Sequence, residues 1–264
     1  SCNKDKDPEY DYFLSNELAI SYSETNINYL LDLAVVSYPD IADIKTQVTN
    51  GVDVYKMTYL TEINGDEIEA SGLVCIPSEA GSYPVLSFQN GTNTKHSDAP
   101  TEKISDESYT LVEAIASMGF IVVIPDYPGF GSSANIPHPY LIAEPTVQAI
   151  VDMFRALKEG AGTEFPGITV KNEYYLAGYS QGGWATFTLH KALETVYSSE
   201  FSLAGSACGA GSYNMYNMFT TMISTDTYPM PAYLAYIINA YSEYDQFTNP
   251  VSEILNAEYA GKLS

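Results

Sequence analysis

Six consecutive residues, Gly178-Tyr179-Ser180-Gln181-Gly182-Gly183, carry the clearest chemical signal in the chain. A serine with glycine two positions away on either side suits a sharp turn from a strand into a helix. Such a turn forces the serine backbone into a strained conformation, the glycines let neighbouring segments approach, and the hydroxyl stands clear of both elements. The apolar run Tyr174–Ala177 before it and helical text from Gly182 onward supply that setting. The chemistry it suits is nucleophilic attack by Ser180 on a carbonyl carbon. The oxyanion that forms needs preorganised donors, and one is the backbone N–H of Gln181, the residue after the nucleophile. The second must come from a loop after an earlier strand. Gln89-Asn90-Gly91-Thr92 follows the apolar run Pro84–Phe88, and Gly91 lets the backbone turn an N–H toward the site, which points to Thr92.

A serine nucleophile also needs a general base. The chain has three histidines, His96, His138 and His190. His190 lies ten residues past Ser180 on the helix that the serine opens, so it points well away from the hydroxyl. His96 and His138 precede the serine, in loops where either could line a pocket. Asp126 invites a catalytic reading too, but an aspartate among Pro and Gly at a strand end more commonly pins a loop through backbone N–H groups, and that is the role expected.

The elements that must hold these residues follow from periodicity. Residues 1–20 read as a leader, and Ile27, Leu30, Leu31, Leu33 and Ala34 recur at helical spacing up to Pro39. Two β-rich runs, Val54–Leu60 and Ala70–Ile76, flank the hairpin signal Asn64-Gly65-Asp66. Thereafter short apolar runs alternate with amphipathic stretches: strands at 84–88, 120–124, 174–177 and 203–207, helices at 108–118, 142–158 and 182–196. This alternation predicts an α/β protein, a mostly parallel sheet with an antiparallel N-terminal hairpin and helices on both faces. Past Ser212 the strand signal gives way to Met-, Tyr- and Ala-rich helical text. The organisation expected is a leader (1–20), an α/β core (21–211) and a helical cap (212–264).

Composition narrows the partners. Against 11 Lys and Arg stand 33 Asp and Glu, a formal charge of -22 that repels phosphate backbones and anionic headgroups, so nucleic acid is excluded as a partner. No apolar run reaches the length of about 18 residues that a spanning helix needs. Ser1-Cys2-Asn3-Lys4-Asp5 resembles the processed end of a bacterial lipoprotein, with a lipid anchor on Cys2 and an exported, envelope or secreted location. Cys75 and Cys208 sit in apolar text, where a thiol serves as a small buried hydrophobe, and neither has metal-ligand spacing. The chemistry calls for no metal and no cofactor.

Four segments together resemble the secretory-lipase branch of the α/β-hydrolase superfamily: Phe88-Gln89-Asn90-Gly91-Thr92, Asp126-Tyr127-Pro128-Gly129-Phe130-Gly131, His138-Pro139-Tyr140 before a helix containing Asp152-Met153-Phe154-Arg155, and Gly178-Tyr179-Ser180-Gln181-Gly182. The resemblance covers roughly residues 50 to 220. It implies an esterase or lipase-like enzyme with Ser180 as nucleophile, the N–H groups of Gln181 and Thr92 as oxyanion hole, and a cap over the acyl pocket from about Ser212. Asn90 stands where the family commonly has histidine. In this superfamily the acid and the histidine follow the nucleophile, yet no histidine follows His190. The expectation is therefore an N-terminal part of a hydrolase whose remaining triad members lie in sequence outside these residues, its partner being the missing C-terminal part, with little turnover by this piece alone. The rival readings are a peptidase of the same fold and a non-catalytic envelope binding protein that kept the scaffold.

Overall fold

A computed structural model describes residues 9–104, 106–224, 227, 230–244, 246 and 253. Seven strands form one sheet: β1 (Phe13–Tyr22), β2 (Val52–Ile63), β3 (Asp66–Pro77), β4 (Gly81–Gln89), β5 (Ile121–Pro125), β6 (Ile168–Tyr179) and β7 (Leu203–Gly209), in the order β1-β2-β3-β5-β4-β6-β7. The contacts β1·β2, β2·β3 and β3·β5 are antiparallel, and those of β4 with β5 and β6, and of β6 with β7, are parallel. The fold is the expected α/β-hydrolase type. The hairpin closes at Asn64 and Gly65 with φ 54° and 85°, the pair of positive values that a two-residue turn of this hand requires.

Alternation along the strands sends successive side chains to opposite faces and builds two cores. Met57, Tyr59, Val74, Ile121 and Val123 pack with α4 (Ala143–Gly160) and α5 (Gln181–Thr195) on one face. Val54, Leu73, Cys75, Val122 and Ile124 meet α1 (Glu24–Val35) and α3 (Glu107–Glu113) on the other. The short α2 (Ile41–Lys45) follows α1, and α6 (Met215–Ile223) and α7 (Pro231–Glu243) follow β7. Among the described residues no strand comes after β7.

The leader is shorter than the sequence suggests. Phe13–Tyr22, of which Phe13–Ile20 fall in the stretch read as a leader, is the edge strand β1, paired with β2 from Phe13↔Tyr59 to Tyr22↔Val52. Only Phe13 of its ten residues is buried, so no hydrophobic alternation marks it. A carboxylate at the end of α4 ties it down: Glu159 accepts the N–H groups of Tyr12 and Phe13, each at 2.8 Å. Cys2 lies outside the described residues. Cys75 is fully buried, as expected, but Cys208 is only partly so, on β7, which among the described residues ends the sheet opposite β1.

One buried acid makes stability depend on pH. Glu113 on α3 is 0% exposed and neither carboxyl oxygen has a hydrogen-bond partner among the described residues. Burial pushes it up to about 8 from an ordinary 4.5, with Tyr22 working weakly the other way. The folded chain therefore keeps a proton that the unfolded chain releases above pH 4.5, so this group's contribution is complete below that pH and is lost as pH rises toward 8. Glu113→Gln, neutral in both states, is expected to gain on the order of 3 kcal/mol relative to wild type between pH 5 and 8 in urea melts. An unchanged difference across that range would contradict the burial argument.

Candidate active site

Ser180 closes β6 and opens α5, with φ 58° and ψ −121°. This conformation is costly for a residue with a Cβ, by about 1–3 kcal/mol, and persists only where the surroundings over-determine it. They do so here. The Ser180 N–H donates to the Gly209 carbonyl at the end of β7 (2.9 Å), and its own carbonyl accepts the N–H of Trp184 (3.1 Å), the first turn of α5. Tight approaches surround it. A Cβ on Gly178 would fall 2.3 Å from the Gly182 carbonyl oxygen, one on Gly182 1.8 Å from that of Gln89, and one on Gly183 2.1 Å from that of Gly209. The glycines thus let α5 start directly against the ends of β4 and β7. Ser180 remains partly exposed at the carboxyl edge of the parallel strands, Tyr179 is 65% exposed, and the Gln181 side chain is buried.

The loop after β4 passes close by. A Cβ on Gly91 would lie 4.0 Å from Ser180 Cβ and 3.7 Å from the Tyr179 carbonyl oxygen, so the structure brings Gly91-Thr92 beside the serine. Thr92 is held by a bond between its hydroxyl and that of Tyr140 (2.9 Å). Asn90 is buried; its amide donates to the Gly91 carbonyl at 3.0 Å, its own backbone carbonyl accepts from the Tyr127 hydroxyl at 3.1 Å, and its Oδ1 has no partner among the described residues. Gln89 below it hydrogen-bonds to the Ser87 and Thr186 hydroxyls at 2.6 and 2.8 Å, locking the strand end to α5.

Asp126 ends β5 and is wholly buried. Its carboxylate accepts the Ser71 hydroxyl (2.5 Å), the Thr101 hydroxyl (2.6 Å) and the Thr101 N–H (2.9 Å), a set that braces three segments and engages both oxygens. Burial raises its pKa, against the lowering effect of these bonds. Asp152 is likewise engaged, accepting from Thr61, Gln148 and Arg155.

Two of the three histidines, His138 and His190, are engaged by other partners. His190 bonds Ser206 at 2.8 Å and Glu194 at 3.1 Å. His96 is exposed, its ring 5.8 Å from that of Phe130. His138 is buried, with Nδ1 2.7 Å from the Pro128 carbonyl oxygen and Nε2 2.7 Å from Nε2 of Gln181. A carbonyl can only accept, so Nδ1 carries the proton and Nε2 receives the Gln181 N–H. Burial holds this imidazole at about 4, below the ordinary 6.5, and the bond to Pro128 opposes that only in part. Among the described residues none hydrogen-bonds to the Ser180 hydroxyl.

The sequence allowed His138 to line a pocket and singled out His138-Pro139-Tyr140, but it named no partner for the imidazole. The structure makes the segment a wall of the site: the rings of Phe130, Tyr127, Tyr140 and Tyr236 lie 5.0, 5.8, 6.0 and 5.7 Å from that of His138. Tyr236 belongs to α7, whose C-cap residue Tyr244 donates to the Pro137 carbonyl at 2.6 Å, so α7 packs on this wall. Strained backbone also gathers here: Tyr127, Leu141 and Ala210 share positive φ (67°, 58°, 49°) with Ser180. No spacing rule in the sequence announces such neighbours, because they meet only through the tertiary fold.

Comparison with known proteins agrees with this architecture. The model of the secretory lipase family matches residues 94–263, well over half of the chain. No curated protein matches the sequence. Among solved structures, the rice cell wall degrading esterase LipA from Xanthomonas oryzae superposes with a TM-score of 0.81 at 26% identity, over 97% of this chain and 66% of its own. A protein from Legionella pneumophila does so at 0.81 and 25%, over 96% and 66%. Candida antarctica lipase A in its closed state gives 0.66 at 18%, over 95% and 53%, and shares the fold. The chain therefore spans just under two thirds of the length of the first two.

Proposed function

Because this chain belongs to the secretory lipase family, we propose that it is a serine hydrolase acting on carboxylic esters through an acyl-enzyme on Ser180. The observation that carries this reading is the strained backbone of Ser180 at the β6–α5 junction, φ 58° and ψ −121°, for which no structural need is evident. In the mechanism inferred, the Ser180 hydroxyl attacks the ester carbonyl and loses its proton to a general base. The backbone N–H groups of Gln181 and Thr92 hold the oxyanion, the alcohol departs, and water releases the acid. Gly178 and Gly182 give the turn its shape, and Tyr179 projects from its rim.

The base is proposed to lie outside these 264 residues, together with the acid that orients it. His138 and His190 are committed to other partners, and the longer relatives have sequence to spare for both groups. The segment from Ser212, with α6 and α7, is proposed as a cap whose tyrosines and methionines line an adaptable acyl pocket. The protein is inferred to be exported, with Cys2 as a lipid anchor in the cell envelope.

A substrate comparison tests this. The native protein is expected to hydrolyse p-nitrophenyl esters of short acids at least about 100-fold faster than aminoacyl p-nitroanilides, with ester turnover abolished by Ser180→Ala and very weak in the 264-residue chain alone. Preference for the anilides would make it a peptidase, and Ser180→Ala with unchanged turnover would remove the serine from the mechanism.

A further inference from the structure

Resting on the reading of Ser180 as nucleophile, we propose that His138 is a positioning residue: its Nε2 anchors the Gln181 side chain and thereby fixes where the Gln181 backbone N–H points. Gln181 is the first residue of α5, and both its side chain and His138 are buried. The bond between them, 2.7 Å, is the one side-chain hydrogen bond of the Gln181 amide among the described residues, since its Oε1 has no partner there. A buried amide with a single partner has its rotamer set by that partner.

The imidazole is itself immobilised. Nδ1–H donates to Pro128, four rings surround it, and the backbone of Gly129 (φ 90°) passes so close that a Cβ there would sit 2.6 Å from His138 Cα. The Asp126–Gly131 turn, the His138 segment and α7 therefore converge on one acceptor nitrogen, and through Gln181 on the first turn of α5. A fixed donor costs no reorganisation when charge develops, which is how oxyanion stabilisation reaches its full size. His138 stays neutral at physiological pH, as this role needs: a second proton on Nε2 would set two donors face to face.

Two substitutions at one position separate positioning from packing. In His138→Asn the amide nitrogen overlies Nδ1 and can keep the Pro128 bond, but nothing is left to accept from Gln181. In His138→Gln the terminal oxygen reaches the place of Nε2 and restores that acceptor, while the Pro128 bond is lost. With p-nitrophenyl acetate and the native protein, His138→Asn is expected to lower kcat about 10- to 100-fold with KM unchanged, and His138→Gln to recover most of it. A purely structural role would move the two together, following their melting temperatures. In parallel, 15N NMR of the chain should show scalar coupling across the Gln181–His138 N–H···N bond, and a Gln181 backbone amide resonance displaced in His138→Asn and returned in His138→Gln. Should His138→Asn fail to fold, Gln181→Leu removes the donor, leaves the imidazole packed, and is expected to lower kcat likewise. A His138→Asn protein with kcat within about twofold of wild type, or an undisplaced Gln181 amide, overturns the proposal. Undiminished turnover in Ser180→Ala would instead defeat the nucleophile reading, with the NMR measurement still judging the contact. If the chain turns over no ester, the NMR result alone decides.

Discussion

Gly182→Ala is expected to cost the protein at least about 3 kcal/mol and the enzyme at least about 100-fold in turnover. The new methyl carbon would sit 1.8 Å from the Gln89 carbonyl oxygen, 2.6 Å from its carbon and 2.7 Å from the Asn90 carbonyl oxygen. All three are backbone atoms, so no side chain can rotate away. Either the first turn of α5 lifts or the end of β4 retreats, and both carry oxyanion donors of the proposed mechanism. Any movement also strains the Gln89 contacts to Ser87 and Thr186. Gly205→Ala in β7 is the control, because its methyl would meet only the Tyr175 ring at 3.7 Å, an ordinary contact. Urea denaturation of the two variants decides the matter: near-equal stabilities would show that the β4–α5 approach is slack.

The second large effect runs in opposite directions on stability and on chemistry. Ser180→Gly is expected to abolish ester turnover while raising stability by about 1 kcal/mol, or about 2–4 °C in melting temperature. Serine at φ 58° and ψ −121° is strained by its Cβ, and glycine relieves most of that strain. Part of the gain is offset because glycine has more freedom to lose on folding, which keeps the net figure small. Ser180→Ala lacks the hydroxyl yet keeps the strain, so its melting temperature should stay near that of wild type. A Ser180→Gly protein less stable than Ser180→Ala would mean that the bend is not strained, and the main argument for function at this position would go with it.

The parts legible in the sequence are those that local chemistry dictates. The Asn64-Gly65 hairpin, the helix near Ile27 and the strand–turn–helix around Ser180 each follow from turn preference or periodicity over a few residues, and they stand where expected. The edge strand β1 was not legible, although β7 at the opposite end of the strand order was read at 203–207. β1 buries Phe13 alone and shows no alternation; the first half of β6, Ile168–Asn172, buries only Ile168 and was equally hidden. A strand with one neighbour and a wet face has no need of the pattern by which central strands are recognised. The Ser180 turn could be read because it is contiguous, whereas the His138–Gln181 contact joins residues 43 apart and has no signature in spacing. Asp126 illustrates the intermediate case. Its residue type and its place at a strand end predicted a bracing role, but its partners, Ser71 and Thr101, come from other segments and include two hydroxyls.

The direct test of the nucleophile is where a fluorophosphonate lands. Treating the native protein with an alkyl fluorophosphonate and mapping the adduct by peptide mass spectrometry should place one phosphonyl group on Ser180, rapidly and to completion, with none on Ser180→Gly. An adduct on any other residue, or equal labelling of the glycine variant, would contradict the account at its centre.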